Sequence, residues 1–447
     1  MNLANKGRRS FWVAAQFFLA EHISRNGMCS RPKSAATKSV RKTNMRVANG
    51  DCFKDQNCAA TKNICKTLIA AAACAIFLAS CGTRALPPQT QYTFGTVCSI
   101  NLYESGSAEL YARLFARLRE LNDIFNNYSD ASEISRVNRD AAEEPVAVSQ
   151  DFFVVLKTAL DFARLTDGAF DPTVGPLVKL WGFGKEPRVP SQEEIAAAKK
   201  LVGWQYVALS AGPEGFTDQN AGKLKGFTDQ NAGGQKSPDN QNASGERESF
   251  TDQDVAAGPS VRFKKKGIRI DLGAIAKGYA ADCLVAILKE TGVKRASISL
   301  GGNVYVYGKK PGGSLWSVAI RDPNRPGQNA FMLKTQDATV VTSGAYERFF
   351  EQDGKIYGHI FDPSTGFPAD SGLASVTIVS QTSMVADALS TSLFVLGLEK
   401  IPAIKKSALA GNFECVCVDT SGTAYASKGL KNSLSALNGQ KIVFGEY

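Results

Sequence analysis

Apolar residues recur along this chain at two spacings, and the spacings divide it into helices and strands. Leu110, Leu114, Leu118, Leu121 and Phe125 return every three or four positions with Arg113, Arg117 and Glu120 opposite, which predicts an amphipathic helix over 107–126. A second helix is expected over about 150–166, ending near Thr166-Asp-Gly168. A third, over 191–202, opens on Ser191 with Glu194 three residues on, a capping box. Further helices are expected over 275–290 and 384–396. β-Branched and aromatic residues crowd Tyr92–Tyr103, which reads as one strand. Other strands are expected at Ser260–Phe263, Ile268–Asp271, Ala296–Leu300 and Val304–Gly308, and near 316–320, 339–342, 375–379 and 414–418. The two kinds of element interleave without a βαβ rhythm, so the expected fold class is α+β, a single mixed α/β domain.

Two stretches lack that patterning. Over 211–260, Gly215-Phe-Thr-Asp-Gln-Asn-Ala-Gly222 recurs at Gly226–Gly233, with a degenerate third copy at Ser249–Asp254. The stretch has almost no aliphatic residues, so it is expected to be a disordered repeat insertion in a surface loop, dispensable to the fold. The other stretch is the N-terminus. About twelve apolar residues between Thr67 and Ser80 follow Lys62 and Lys66, too few to span a bilayer and typical of a signal-peptide core. Leu78-Ala79-Ser80-Cys81 behind it resembles a bacterial lipobox, in which the cysteine becomes an acylated N-terminus after cleavage. Acyl chains contribute about 0.8 kcal/mol per buried CH2, enough in two or three copies to hold a protein on a membrane. The expected organisation is therefore a leader over 1–80, lipidation at Cys81, a tether over 81–91, and one domain over 92–447 interrupted at 211–260. Residues 1–60 precede the signal without periodicity, and Met45 is an alternative start.

Composition supports a globular protein: 44% hydrophobic and 21% charged residues. The formal charge of +10 suggests nucleic acid until the chain is divided. Residues 1–80 hold thirteen Lys/Arg and three Asp/Glu, and the other 367 residues hold 39 of each sign. The excess lies wholly in the leader, so no nucleic-acid partner is expected. Six of the ten cysteines also lie at or before Cys81, which leaves too few for a disulfide scaffold. Cys415 and Cys417 alternate on a strand and read as small buried apolar residues.

Three segments carry candidate chemistry. Ile270-Asp271-Leu272-Gly273-Ala274-Ile275-Ala276-Lys277-Gly278 reads as a strand ending in a carboxylate, a glycine turn and a helix start. Helix N-terminal amides attract anions, and Lys277 would add a full charge for a phosphate, although such a unit is also an ordinary tight connection. Asp387, Ser390 and Thr391 lie at positions i, i+3 and i+4, so a carboxylate and two hydroxyls share one helix face. These hard oxygens suit Mg2+, and they equally suit a capped helix with small polar residues. His359 is the one histidine beyond the leader. Its place in Gly358-His-Ile-Phe-Asp-Pro-Ser-Thr-Gly366, beside Asp362, makes it an acid/base candidate.

Taken in order, five segments closely resemble the ApbE family of FAD:protein FMN transferases. They are Ser132-Glu-Ile-Ser-Arg-Val-Asn138 after Tyr128; Phe170-Asp-Pro-Thr-Val-Gly-Pro-Leu-Val with Leu180-Trp-Gly-Phe-Gly184; Asp271 to Asp282; Thr342-Ser-Gly-Ala-Tyr-Glu-Arg348 with His359–Gly366; and Ala386-Asp-Ala-Leu-Ser-Thr391. The resemblance runs from about Tyr92 to Gly397. It implies a catalytic domain that moves the FMN half of FAD onto a threonine hydroxyl of a target protein and releases AMP. It further implies that Mg2+ is held by the Ala274 carbonyl, Asp387, Ser390 and Thr391. FAD would be contacted by Phe94, Tyr128, Ala169, Phe170, Asp171, Asp271, Lys277 and Phe361. Phe94 stands where many members carry Met. His359 is the expected base for the threonine proton, with Asp271 or Asp282 as alternatives. The implied partners are extracytoplasmic redox proteins with a threonine flavinylation motif, met at the periplasmic face of the inner membrane. Two rival readings stand beside this one: a Mg-dependent pyrophosphatase giving FMN and AMP, and a lipid-anchored FAD-binding protein without turnover.

Overall fold

A computed structural model describes residues 86–183, 185–212 and 258–447. The leader, Cys81 and most of the repeat insertion lie outside the described residues. The described chain begins with a hairpin, β1 (Gln89–Thr93) and β2 (Thr96–Asn101), followed by helices α1 (Ala108–Phe125) and α2 (Glu133–Asp140). Then come β3 (Val146–Ala147), α3 (Gln150–Leu165), α4 (Gly175–Trp181), α5 (Gln192–Lys199), β4 (Val207–Ser210) and β5 (Ser260–Phe263). The second half opens with α6 (Ala276–Glu290), β6 (Ala296–Leu300), β7 (Asn303–Tyr307), β8 (Trp316–Arg321), β9 (Asn329–Thr335) and β10 (Ala338–Gly344). Two small hairpins follow, β11 (Phe349–Gln352) with β12 (Lys355–Gly358) and β13 (Phe361–Asp362) with β14 (Phe367–Pro368). The chain closes with β15 (Leu373–Ser380), α7 (Ser383–Leu396), α8 (Ile401–Ile404), β16 (Phe413–Asp419), β17 (Ala424–Ser427), β18 (Leu434–Ala436) and β19 (Ile442–Gly445).

The central sheet has nine strands in the order β1-β2-β6-β7-β10-β15-β16-β17-β19, antiparallel except for the β17–β19 pair. Strand β16 shows how it is buried. Cys415 and Cys417 face a core shared with α1, α3, α6 and α7, whereas Val416 and Val418 face a second core shared with the three-stranded sheet β18-β9-β8. Helices, large sheet and small sheet therefore form three layers, an α+β architecture. The period of α1 places Leu114, Leu118, Leu121 and Phe125 inside, and Ser107 caps its first turn by accepting from the Leu110 amide. The expected capping box opens α5, which ends at Lys199, three residues short of the expectation. Among the described residues, no helix is long and apolar enough to cross a membrane.

Two expectations are corrected. Tyr92–Tyr103 is a hairpin, not one strand, because Phe94 and Gly95 both take left-handed backbone (φ +54° and +65°) and make a two-residue turn. Its first strand starts at Gln89, inside the stretch expected as tether. Ile268–Asp271 is not a strand either. The Asn138 side chain accepts from the Ile270 amide and donates to the Ile270 carbonyl (2.9 Å), occupying the groups a neighbouring strand would need.

Candidate active site

The N-terminal ends of α6 and α7 meet at Gly278. A Cβ there would lie 2.3 Å from the Ser383 carbonyl oxygen and 2.7 Å from Met384 Cα, so only glycine allows the helices to come so close. The Gly278 amide donates to Asp387 Oδ2 (2.9 Å), and Lys277 Nζ stands 3.8 Å from the same oxygen. Asp387 is 4% exposed. Burial raises its carboxyl above the ordinary range, opposed by the Lys277 charge and the Gly278 amide. Ser343, on β10, reaches the same helix: its Oγ is 2.8 Å from Ser390 Oγ and 3.3 Å from Thr391 Oγ1. Ser390 also donates to the Asp387 carbonyl (2.9 Å).

The turn before α6 closes on this corner. Lys277 Nζ donates to the Gly273 carbonyl (2.8 Å), one residue before Ala274, so a single ammonium ties the turn to the α7 carboxylate. Asp271 Oδ1 accepts from the Gly273 amide (2.8 Å), and the Asp271 amide donates to the Pro172 carbonyl (2.7 Å). Asn138 extends the frame, since its Nδ2 also donates to Asn127 Oδ1 (3.2 Å) and so fixes the segment that carries Tyr128. Tyr128 is 62% exposed. Partial burial raises its phenol pKa, the Asp271 charge adds to the shift and Arg348 opposes it, which places the three within electrostatic reach. Half-buried Phe94 receives its place from Asn122, whose side chain accepts from the Phe94 amide (3.1 Å). Arg348 reaches the carbonyl of the next residue, Gly95, at 3.5 Å.

His359 follows β12. Its amide donates to the Arg348 carbonyl, and Nδ1 lies 3.1 Å from that same oxygen. A carbonyl can only accept, so Nδ1 carries the hydrogen and the Nε2 lone pair is left open. Burial lowers the imidazole pKa to about 4, helped by the Arg348 and Lys277 charges and opposed by the bond to the Arg348 carbonyl. The ring is therefore neutral at physiological pH. Glu347, next to Arg348, is exposed as a residue, yet desolvation of its carboxyl raises it to about 7; Lys277 and Arg321 oppose that shift and Asp387 adds to it.

The remaining expected contacts are committed to the interior. Asp171 Oδ1 accepts from the Thr173 amide (2.8 Å) and hydroxyl (2.6 Å), and Oδ2 accepts from the Trp204 amide (3.0 Å). Phe170 is 4% exposed and packs on Phe162 at 6.1 Å between ring centroids. The Ala169 amide bonds back to the Thr166 carbonyl (3.1 Å) and the Phe170 amide to the Thr166 hydroxyl (3.0 Å), which ties this loop to the end of α3. Phe361 is 5% exposed and sits 5.8 Å from both Trp181 and Phe183 in an aromatic cluster. Asp282 is corrected as an alternative base: it is 2% exposed and both oxygens accept amides of α7. Ser343, on β10 rather than in a loop, joins Glu347, Arg348 and Asn138 at the site without a spacing signal of its own. All four lie inside the quoted segments, but their spacing carries no periodicity that marks a site.

The ApbE family profile matches residues 94–417. The chain belongs to the ApbE family. It is 34% identical over 342 residues to the FAD:protein FMN transferase of Treponema pallidum, covering 73% of this chain and 83% of that one. It is 31% identical to the protein of the same name from Vibrio cholerae, covering 77% and 91%. Among solved structures, the flavin transferase ApbE from Vibrio cholerae superposes with a TM-score of 0.60 at 28% identity, covering 77% of this chain and 98% of that one. The ApbE protein of Thermotoga maritima gives a TM-score of 0.60 at 29% identity, over 77% and 97%.

The donors at this corner fit a hard divalent cation. Among the described residues no group of three His, Cys, Asp or Glu side chains comes together, so a cation here would rely on one carboxylate plus neutral oxygens. Asp387 with the Ser343, Ser390 and Thr391 hydroxyls is such a set, and Mg2+ typically takes one or two carboxylates and completes its shell with water and phosphate oxygens.

Proposed function

We propose that this ApbE protein transfers the FMN half of FAD onto a threonine hydroxyl of a target protein and releases AMP. The observation that carries the reading is the corner where the first turn of α6 meets α7, with Lys277 Nζ 3.8 Å and the Gly278 amide 2.9 Å from Asp387 Oδ2. The name shared by its relatives, FAD:protein FMN transferase, agrees with it.

Phosphoryl transfer asks a protein for position and charge more than for covalent chemistry. Lys277, in the first turn of α6 where the helix dipole is positive, holds the FAD diphosphate. Asp387, Ser390, Thr391 and the Ala274 carbonyl would hold Mg2+, which when bound neutralises charge on the diphosphate and on the departing AMP. Asp271 and exposed Tyr128 border the nucleotide from one side and Phe94 from the hairpin. The loop at Ala169–Asp171 and Phe361, within its aromatic cluster, back the site. His359 takes the threonine proton on Nε2. The threonine oxygen then bonds to the FMN phosphorus, the anhydride bond to AMP breaks, and AMP leaves with the electron pair.

The reading is tested by incubating purified protein with FAD and Mg2+, with and without a threonine-bearing domain that a characterised relative flavinylates. FMN attached to threonine together with equimolar AMP is expected. Free FMN with no labelled protein would overturn transfer in favour of hydrolysis. Intact FAD after long incubation would leave a binding protein without turnover. For localisation, we propose that Cys81 is acylated and holds the enzyme at the periplasmic face of the inner membrane, near extracytoplasmic redox partners. Cys81→Ser should move the protein from the membrane to the soluble fraction. Continued membrane residence of that variant would refute the anchor.

A further inference from the structure

Helix α7 carries Asp387, Ser390 and Thr391, yet its first turn supplies no cap of its own. Thr382, at the N-cap, makes no side-chain capping bond, and the first turn holds no acidic residue. The missing carboxylate comes from α6. Asp282 Oδ1 accepts from the Ser383 amide (2.9 Å) and Oδ2 from the Met384 amide (2.8 Å). One turn earlier on α6, the Gly278 amide donates to Asp387. The two helices thus exchange partners: the α6 carboxylate takes the first amides of α7, and an α6 amide takes the α7 carboxylate. The sheet holds the same turn from another side, where Ser383 Oγ donates to Asn303 Oδ1 (2.8 Å) and lies 2.9 Å from Thr339 Oγ1.

We propose that Asp282 is a positioning residue that caps α7 from the neighbouring helix and so sets the register at which Asp387, Ser390 and Thr391 meet Lys277 and Gly278. Asp387 lies one turn beyond Ser383, so a slip or rotation of the first turn moves the whole oxygen set. Asp282 itself is sealed from substrate. Its consequence for a cation rests on the proposed Mg2+ site, whereas the cap geometry does not.

The test compares Asp282→Asn, which keeps one acceptor, and Asp282→Ser, which leaves room for a bridging water, with wild-type full-length protein. Leu118→Ala, in the α1 core, is the control for lost stability without a change at the corner. Mn2+ is titrated without FAD by the electron paramagnetic resonance of the free ion, and kcat and KM for FAD are measured separately. Both Asp282 variants should weaken Mn2+ binding about tenfold and lower kcat about tenfold with little change in KM, while Leu118→Ala should lower the melting temperature and leave Mn2+ binding within twofold. Unchanged Mn2+ binding and kcat in Asp282→Asn would overturn the proposal, as would equal losses in Leu118→Ala. Wild-type protein that binds no Mn2+ would count against the cation site alone, and the cap is then decided by the kcat comparison.

Discussion

Gly278→Ala adds one methyl group where α6 and α7 touch. Its Cβ would lie 2.3 Å from the Ser383 carbonyl oxygen, and ordinary contact begins about 1 Å farther out. Both nearest atoms belong to the backbone of α7, so no side chain can rotate away and the helices themselves must part. Overpacking of this kind costs about 1–3 kcal/mol. Alanine recovers up to about 1 kcal/mol through its better helix propensity, so a net loss of at most about 2 kcal/mol is expected where that recovery is complete. Activity should fall further than stability. The Gly278–Asp387 bond is 2.9 Å long, and a displacement near 1 Å breaks it and carries the α7 oxygens away from Lys277. Misplacement on that scale can cost about 100-fold in rate. Circular-dichroism melting and AMP release at saturating FAD read the two effects. A variant that melts like wild type and turns over at the wild-type rate would refute the close contact and the argument built on it.

Other substitutions probe separate parts of the account. His359→Gln should lower kcat by about 10²–10⁴-fold, the usual reach of a general base. The wild-type rate should hold from neutrality down and bend only near pH 4. Because the folded pKa lies below the ordinary 6.5, the unfolded chain binds the proton first, and this stability is present above pH 6.5 and lost as pH falls towards 4. His359→Gln should therefore lose less stability than wild type across that window, which denaturant titration at several pH values would check. Asn138→Ala orphans the Ile270 amide and carbonyl at a cost of about 1–3 kcal/mol, and should weaken FAD binding by freeing the Tyr128 segment, as read by flavin fluorescence. Trp181→Ala should cost about 3–5 kcal/mol in chemical denaturation, because the ring is fully buried among Phe350, Tyr357, Phe361 and Phe367.

The parts of the fold legible in the sequence are those where one face is buried along a regular period. The α1 stripe of leucines, the α5 capping box and alternating strands such as Ala296–Leu300 were of that kind. The Tyr92–Tyr103 hairpin was hidden because a two-residue turn can place Phe94 in left-handed backbone, a conformation that phenylalanine rarely signals. Ile268–Asp271 has strand composition, but its partner is an amide side chain 132 residues earlier, and no local pattern reveals that. At the site, the helix spacing puts Asp387, Ser390 and Thr391 at positions i, i+3 and i+4 of α7. It could not show that Ser343 reaches that face from β10, or that Asp282 belongs to the packing of two helices rather than to the cleft. Phe170, Asp171 and Phe361 look alike to Phe94 and Tyr128 as matched positions, and only burial separates side chains that fill the interior from those left partly or largely exposed.

The central claim is that the FAD diphosphate is held at the corner of Lys277, Asp387 and the start of α6. A crystal of the protein soaked with FAD and Mg2+ tests it most directly. The diphosphate should lie against Lys277 Nζ with a cation between it and Asp387, and the flavin end should point towards His359. Nucleotide density elsewhere on the molecule, with the Lys277–Asp387 contact intact and no cation beside it, would contradict the account.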